Sequence, residues 1–280
     1  MRLQPRTVAL LGAVWLGGGL GVALGLREVV RLQARTARRV IGKPLGEDVH
    51  AADRTYKRKY GEPLDLLLLG DSIAAGLGAE TAKHTLGAQL ARRLAKSTKR
   101  SVHLHTAAHV GSETSMLRAQ LAALPAGYRA DVAVIVVGGN DITHRVKVSE
   151  SRRHLGEAVR SLRERGTAVV VGTCPDLGAL TAVPQPLRAM GRLASRQLAA
   201  AQRDVTTELG GVAVSLAEVV GPFFIAQPDQ MFAVDRFHPS SAGYRRTAKA
   251  MLPGVLVSLG LSDALPHGHH GPADIRPRPA

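Results

Sequence analysis

Three short stretches of the chain hold side chains that could perform covalent chemistry together. Gly70-Asp71-Ser72 closes an apolar run that starts at Leu64, and Gly138-Gly139-Asn140-Asp141 closes another. Asp235 and His238 stand three residues apart in "VDRFHPSSAGY". A serine hydroxyl is a poor nucleophile until a base removes its proton, and histidine is suited to that work near neutral pH. An aspartate three residues before a histidine can share its turn and accept the imidazole Nδ1–H. That bond fixes the tautomer and leaves Nε2 facing the serine. Attack on a carbonyl then creates an oxyanion, which needs donors already in place. Each residue also has a plainer role open to it. Ser72 and Asn140 are both good helix caps, Asp71 reads as a turn or cap residue, and His238 could be a surface histidine.

Elements able to position these groups are visible as an alternation. Apolar runs at 64–69, 101–106, 131–137, 167–173 and 211–216 read as strands buried on both faces. Helical patterns lie near 81–97, 113–123, 149–165, 187–208 and 241–259. Alternation without hairpin signals predicts a parallel sheet covered by helices on both sides. In such sheets functional groups collect beyond the carboxyl ends of the strands. The expected fold is a three-layer α/β/α sandwich with a five-stranded parallel sheet, flavodoxin-like, preceded by an N-terminal apolar helix. The expected organisation is an anchor or signal segment at 1–44, a linker at 45–63, the catalytic domain at 64–262 and a disordered tail at 263–280.

GDS after the first strand, a glycine (Gly111) in "AAHVGSET" after the second, G-x-N-D after the third and D-x-x-H-P before the last helix appear in that order. This series resembles the SGNH (GDSL) hydrolase family over about Leu64 to Leu261. The resemblance implies a serine esterase in which Ser72 is the nucleophile, with Asp235 and His238 completing a triad. It also implies an oxyanion hole made by the backbone N–H of Ser72, the backbone N–H of Gly111 and the side-chain amide of Asn140. The family usually carries an asparagine just before the Gly111 block, where this chain reads Thr106-Ala107-Ala108-His109. No metal or organic cofactor is expected.

Rival constellations fit less well. A G-x-S-x-G elbow would need glycine at Ala74 and would draw its acid from elsewhere, Asp176 being the candidate. "GLGAET" begins like a dinucleotide loop but ends on Thr81, and no acidic residue follows the second strand to hold a ribose. The single Cys174 excludes an internal disulfide, and its surroundings suggest no zinc site.

The formal charge of +15 is concentrated near the N-terminus, where residues 1–60 hold twelve Lys and Arg against four acids. That basic stretch adjoins Val8 to Leu26, 19 residues without a charge. As a helix it would be about 28 Å long, close to the ~30 Å hydrocarbon core. It reads as a membrane anchor, with a cleaved signal peptide as the alternative. Gly17, Gly21 and Gly25 form a small-residue ridge, and Arg27 to Ile41 would lie near the membrane surface. The protein is therefore expected to be membrane-associated or exported to the cell envelope. The basic residues point to lipid phosphates, since no nucleic-acid motif accompanies them.

All four phenylalanines, Phe223, Phe224, Phe232 and Phe237, fall in the 15 residues before His238. With Pro222, Ile225 and Met231 they read either as an acyl-binding wall or as core beneath a long loop, with Leu177 to Met190 as the opposite wall. The expected substrates are carboxylic esters of small or medium acyl groups. The alternatives are a deacetylase or acyltransferase acting on envelope glycans or lipids, and a membrane-tethered scaffold without turnover.

Overall fold

The computed structural model of the chain describes Gly25, residues 27–36 and residues 45–272. The expected apolar helix over Val8 to Leu26 therefore lies outside the described residues, apart from Gly25. Among the described residues, no helix is long and apolar enough to cross a membrane. Residues 27–36 are helical.

The five expected strands are present as β2 (Gly61–Gly70), β3 (Arg100–Thr106), β4 (Val132–Val136), β5 (Ala168–Gly172) and β6 (Val212–Val214). They pair in parallel in the order β3-β2-β4-β5-β6. Runs such as Leu66–Leu69 bury both faces of the sheet, as a parallel sheet with helices above and below requires. Leu66, Leu68, Val134 and Val136 pack on one side beneath α2 (Leu86–Thr98) and α10 (Ser241–Ser258). Leu67, Leu69, Ala133 and Ile135 pack on the other with α3 (Leu117–Ala122), α5 (Val148–Glu164) and Val205 of α6 (Leu187–Glu208). Each fully buried leucine contributes about 1.5–3 kcal/mol, so both layers are firmly held.

The expected five-stranded parallel sheet is corrected to seven strands and a mixed arrangement. β1 (Thr55–Tyr56) pairs antiparallel with β3, and β7 (His269–His270) pairs antiparallel with β6. Two-residue strands contain too few positions to show a periodicity; they exist because the edges of the sheet offer unpaired backbone groups. The same strands correct two boundaries. The expected linker 45–63 supplies β1 and the first three residues of β2, with the Tyr56 hydroxyl donating to the Ala52 carbonyl. The expected disordered tail is ordered as far as Pro272: Leu265 is buried, and His269 Nε2 lies 2.8 Å from the Ala250 carbonyl.

The chain leaves β2 for β3 on one side and then crosses to β4 on the other. The carboxyl ends of β2 and β4 thus face a crevice where successive connections diverge, the usual place for a site in such a sheet.

Candidate active site

Gly70 ends β2 at φ +130, and a Cβ there would sit 1.9 Å from the Val136 carbonyl oxygen. Only glycine lets the strand turn this close to β4. Asp71 follows as the N-cap of the one-turn helix α1 (Ser72–Ala75), accepting from the Ile73 N–H at 3.0 Å. Burial pushes the Asp71 carboxyl up to about 6, against the backbone bond from Ile73 and the nearby His238. The reading of Asp71 as a cap agrees with this geometry.

His238 and Asp235 lie on the turn before α10, whose N-cap Ser240 accepts from the Ala242 and Gly243 N–H groups. Phe232 bridges Pro239, and Ala233 N–H donates to the His238 carbonyl at 2.8 Å, closing residues 232–239 into a rigid loop. Within it, Asp235 Oδ1 accepts from the backbone N–H of Phe237 and of His238, both at 3.0 Å. Its Oδ2 stands 2.5 Å from His238 Nδ1, and His238 Nε2 stands 2.9 Å from Ser72 Oγ. Burial alone would raise the Asp235 carboxyl, but the bonds from the His238 ring and the two backbone N–H groups outweigh it. The carboxyl is held below its ordinary value, and so stays ionised while it orients the imidazole. The three residues singled out by type and spacing are therefore joined in one hydrogen-bonded chain.

Asn140 is the second residue of helix α4 (Gly139–His144), which follows the carboxyl end of β4, and it lines the same cavity as Ser72 and His238. Its Nδ2 donates to the Ser112 carbonyl at 3.0 Å, which ties it to the loop that carries Gly111. Gly111 is exposed at φ +81 and is not part of the cavity lining. Among the described residues, the backbone N–H groups of Ser72 and Gly111 have no acceptor inside the protein. Asp141 points away from the site, accepting from the Thr114 N–H and the Ser151 hydroxyl.

One positioning residue carried no sequence signal. Gln120, buried on α3, accepts from Gly70 N–H at 2.9 Å and donates to the Gly70 carbonyl at 2.8 Å and to Ser112 Oγ at 3.1 Å. A single amide thus fixes the strand end before Ser72 and the residue bonded to Asn140. Gln202 of α6 works similarly, accepting from Cys174 N–H and donating to the Val137 carbonyl. A glutamine in a helical run looks like surface; only the fold brings it under the strand ends.

The rivals take other partners. Asp176 accepts from Gly178 N–H and from Arg192 Nε at 3.2 Å, so it lines the cavity without serving the imidazole. Cys174 is buried, and that burial pushes its thiol well above the ordinary value, away from nucleophilic use. Among the described residues, no three or more His, Cys, Asp or Glu side chains gather where they could hold a metal ion.

The cavity encloses about 70 Å³ and is mostly apolar. Phe224, Phe232, Phe237, Leu177, Ala179 and Leu180 line it, and Phe232 and Phe237 pack in one cluster with Leu177 and Leu180. Four of the expected wall residues do not line it: Pro222 and Met231 are absent from the lining, Phe223 stacks beneath the Arg246 guanidinium, 3.5 Å from its ring centre, and Ile225 is exposed. A serine with its base, an amide donor and an apolar recess adjoin one another, an arrangement able to bind an acyl group and transfer it.

Comparison with known proteins agrees. The model of the GDSL-like Lipase/Acylhydrolase family matches residues 68–246. The GDSL-like esterase Rv1075c of Mycobacterium tuberculosis (strain ATCC 25618 / H37Rv) is 40% identical over 275 residues, covering 94% of this chain and 85% of that protein. Among solved structures, the lipase Lip_vut3 from a goat rumen metagenome superposes with a TM-score of 0.56 at 19% identity, covering 71% of this chain and 98% of that one. A catalytic mutant of Axe2, an acetylxylan esterase from Geobacillus stearothermophilus, gives 0.55 at 18% identity, covering 73% and 97%. At such identities the two structures speak to the fold alone.

Proposed function

The chain belongs to the GDSL-like lipase/acylhydrolase family, and within it we propose that Ser72, His238 and Asp235 carry out ester hydrolysis on esters of short acyl groups. The protein is a serine hydrolase acting on ester bonds. His238 Nε2 takes the Ser72 proton as Oγ attacks the ester carbonyl carbon. The oxyanion is received by the N–H groups of Ser72 and Gly111 and by Asn140 Nδ2, and losing one such donor typically costs about 2.7–4 kcal/mol of barrier. The imidazolium, held in orientation by Asp235, returns the proton to the departing alcohol. Water, deprotonated by the same imidazole, then cleaves the acyl-Ser72 ester and releases the acid. The observation that carries this reading is the continuous Asp235–His238–Ser72 hydrogen-bonded chain opening onto an apolar recess.

The recess supports the short-acyl assignment, because about 70 Å³ is small beside the ~300–1,000 Å³ of typical ligand pockets. The test is hydrolysis of p-nitrophenyl acetate. The protein should release p-nitrophenol, and Ser72→Ala should lose that activity while melting cooperatively at an unchanged temperature. An unaffected Ser72→Ala rate would overturn the assignment.

We also propose that the protein is membrane-associated through its N-terminal segment. The uncharged Val8 to Leu26 and the arginines that follow support this reading. Full-length protein should stay in the membrane fraction after alkaline carbonate; release into the supernatant would contradict it.

A further inference from the structure

The loop that walls the catalytic cavity has a second, outer side. A groove of about 270 Å³ runs between Ile225 of α8 (Gly221–Ala226) and Gln185, Arg188 and Arg192 at the start of α6. It shares Ala179 with the catalytic cavity, so residues 177–181 are a partition between the two. The helical residues 27–36 are seated at its edge. Gln33 Nε2 donates to the Gln185 carbonyl, Leu187 N–H donates to Gln33 Oε1 at 3.2 Å, and Val30 is buried. Leu187 in turn packs against the Leu180 and Val183 cluster, which Phe232 and Phe237 of the cavity wall also cover.

Around this contact the surface is apolar and basic. Leu32 is 52% exposed, Met190 52%, Leu193 61% and Ile225 47%. Arg31 pairs with Glu28 and Arg192 with Asp176. Among the described residues, Arg27, Arg35, Arg188 and Arg196 have no carboxylate partner, and the sequence just before this helix is uncharged.

We propose that this face, centred on Met190, Leu193 and Ile225 with Arg188 and Arg196 beside them, rests on an anionic lipid surface and presents a membrane-resident ester with a short acyl group to Ser72. The inference rests on the ester-hydrolase reading above. Apolar side chains flanked by arginines are what an interfacial surface needs: the former enter the headgroup boundary and the latter meet lipid phosphates. A second copy of the chain suits the face poorly, because a two-fold contact would set the same unpaired arginines against one another. The carrier of the ester stays at the lipid surface, and only its acyl group crosses the partition into the recess.

The experiment uses the full chain with hexadecyl acetate embedded in vesicles of equal phosphatidylglycerol and phosphatidylcholine, reading acetate release, with soluble p-nitrophenyl acetate in parallel. Met190→Asp/Leu193→Asp should lower the vesicle rate about tenfold and leave the soluble rate within about twofold. Arg188→Glu/Arg196→Glu, which reverses two charges and leaves Met190 and Leu193 in place, should do the same on anionic vesicles and much less on pure phosphatidylcholine. An unchanged rate on anionic vesicles in Arg188→Glu/Arg196→Glu would overturn the proposal, whatever the fate of the aspartate pair. A wild-type protein active on the soluble ester but not on vesicles would overturn it too, leaving the esterase reading intact. Activity on neither ester would instead sink that reading. A concentration-dependent dimer abolished by Met190→Asp/Leu193→Asp would assign the face to a second copy.

Discussion

The size of the recess beside Ser72 makes acyl-chain preference a quantitative matter. A water molecule needs about 10–15 Å³ of such space, so about 70 Å³ accepts about five water-sized groups, an acyl chain of about four carbons. Each methylene that moves from water into the recess should contribute about 0.8 kcal/mol, or about a fourfold gain in kcat/KM. A series of p-nitrophenyl esters from acetyl to decanoyl should therefore climb about fourfold per carbon, peak near butyryl and fall beyond it. Leu180 is buried in the cavity wall, clustered with Phe232 and Phe237. Leu180→Ala should lengthen the preferred chain by one or two carbons, because the removed side-chain atoms leave room. The change should cost about 2–5 kcal/mol of stability, so rates are best compared well below the lowered Tm. A wild-type preference that rises steadily to decanoyl, or a Leu180→Ala profile identical to wild type, would refute the recess as the acyl site.

Other residues give independent checks. Asp235→Ala should lower kcat by about 10⁴-fold with little change in KM, while Asp176→Ala should change kcat far less; the reverse order, read from steady-state kinetics, would move the triad acid. Gln120→Leu should lower kcat with KM nearly unchanged at temperatures where the variant is fully folded, since it releases Gly70 and Ser112 without touching substrate; a Tm loss with normal kcat would make Gln120 structural only. Asp71 bears on stability against pH. Folded Asp71 keeps its proton up to about 6 whereas the unfolded chain releases it near 3.8, so the folded state binds more protons between those values. Stability from this group is therefore lost as pH rises through that window, by about 3 kcal/mol. Asp71→Asn, which can still accept from Ile73 N–H, should raise Tm at pH 7.5 and have little effect at pH 4; equal effects at both would refute the burial argument.

What was legible in the sequence was what local rules dictate. Leu66–Leu69 could only be a strand buried on both faces, and the Asp235–His238 spacing is a property of a single turn. The edge strands were hidden because Thr55–Tyr56 and His269–His270 are set by open sheet edges rather than by any pattern of their own. The tail from 263 looked disordered for its Pro, Gly and His content, yet Leu265 and His269 find places against the domain. Gln120 and Gln202 were invisible for a different reason: their partners are backbone groups at the ends of strands distant in sequence. The phenylalanine cluster was legible as a set, but only tertiary structure separates Phe224, Phe232 and Phe237 in the recess from Phe223 under Arg246.

The most direct measurement is covalent labelling with a fluorophosphonate followed by peptide mass mapping. The phosphorus should be attacked by Ser72 Oγ alone, giving one adduct on the peptide that contains Ser72, lost in Ser72→Ala and greatly slowed in His238→Ala. An adduct on any other serine, or labelling that persists in Ser72→Ala, would contradict the assignment of Ser72 as the nucleophile.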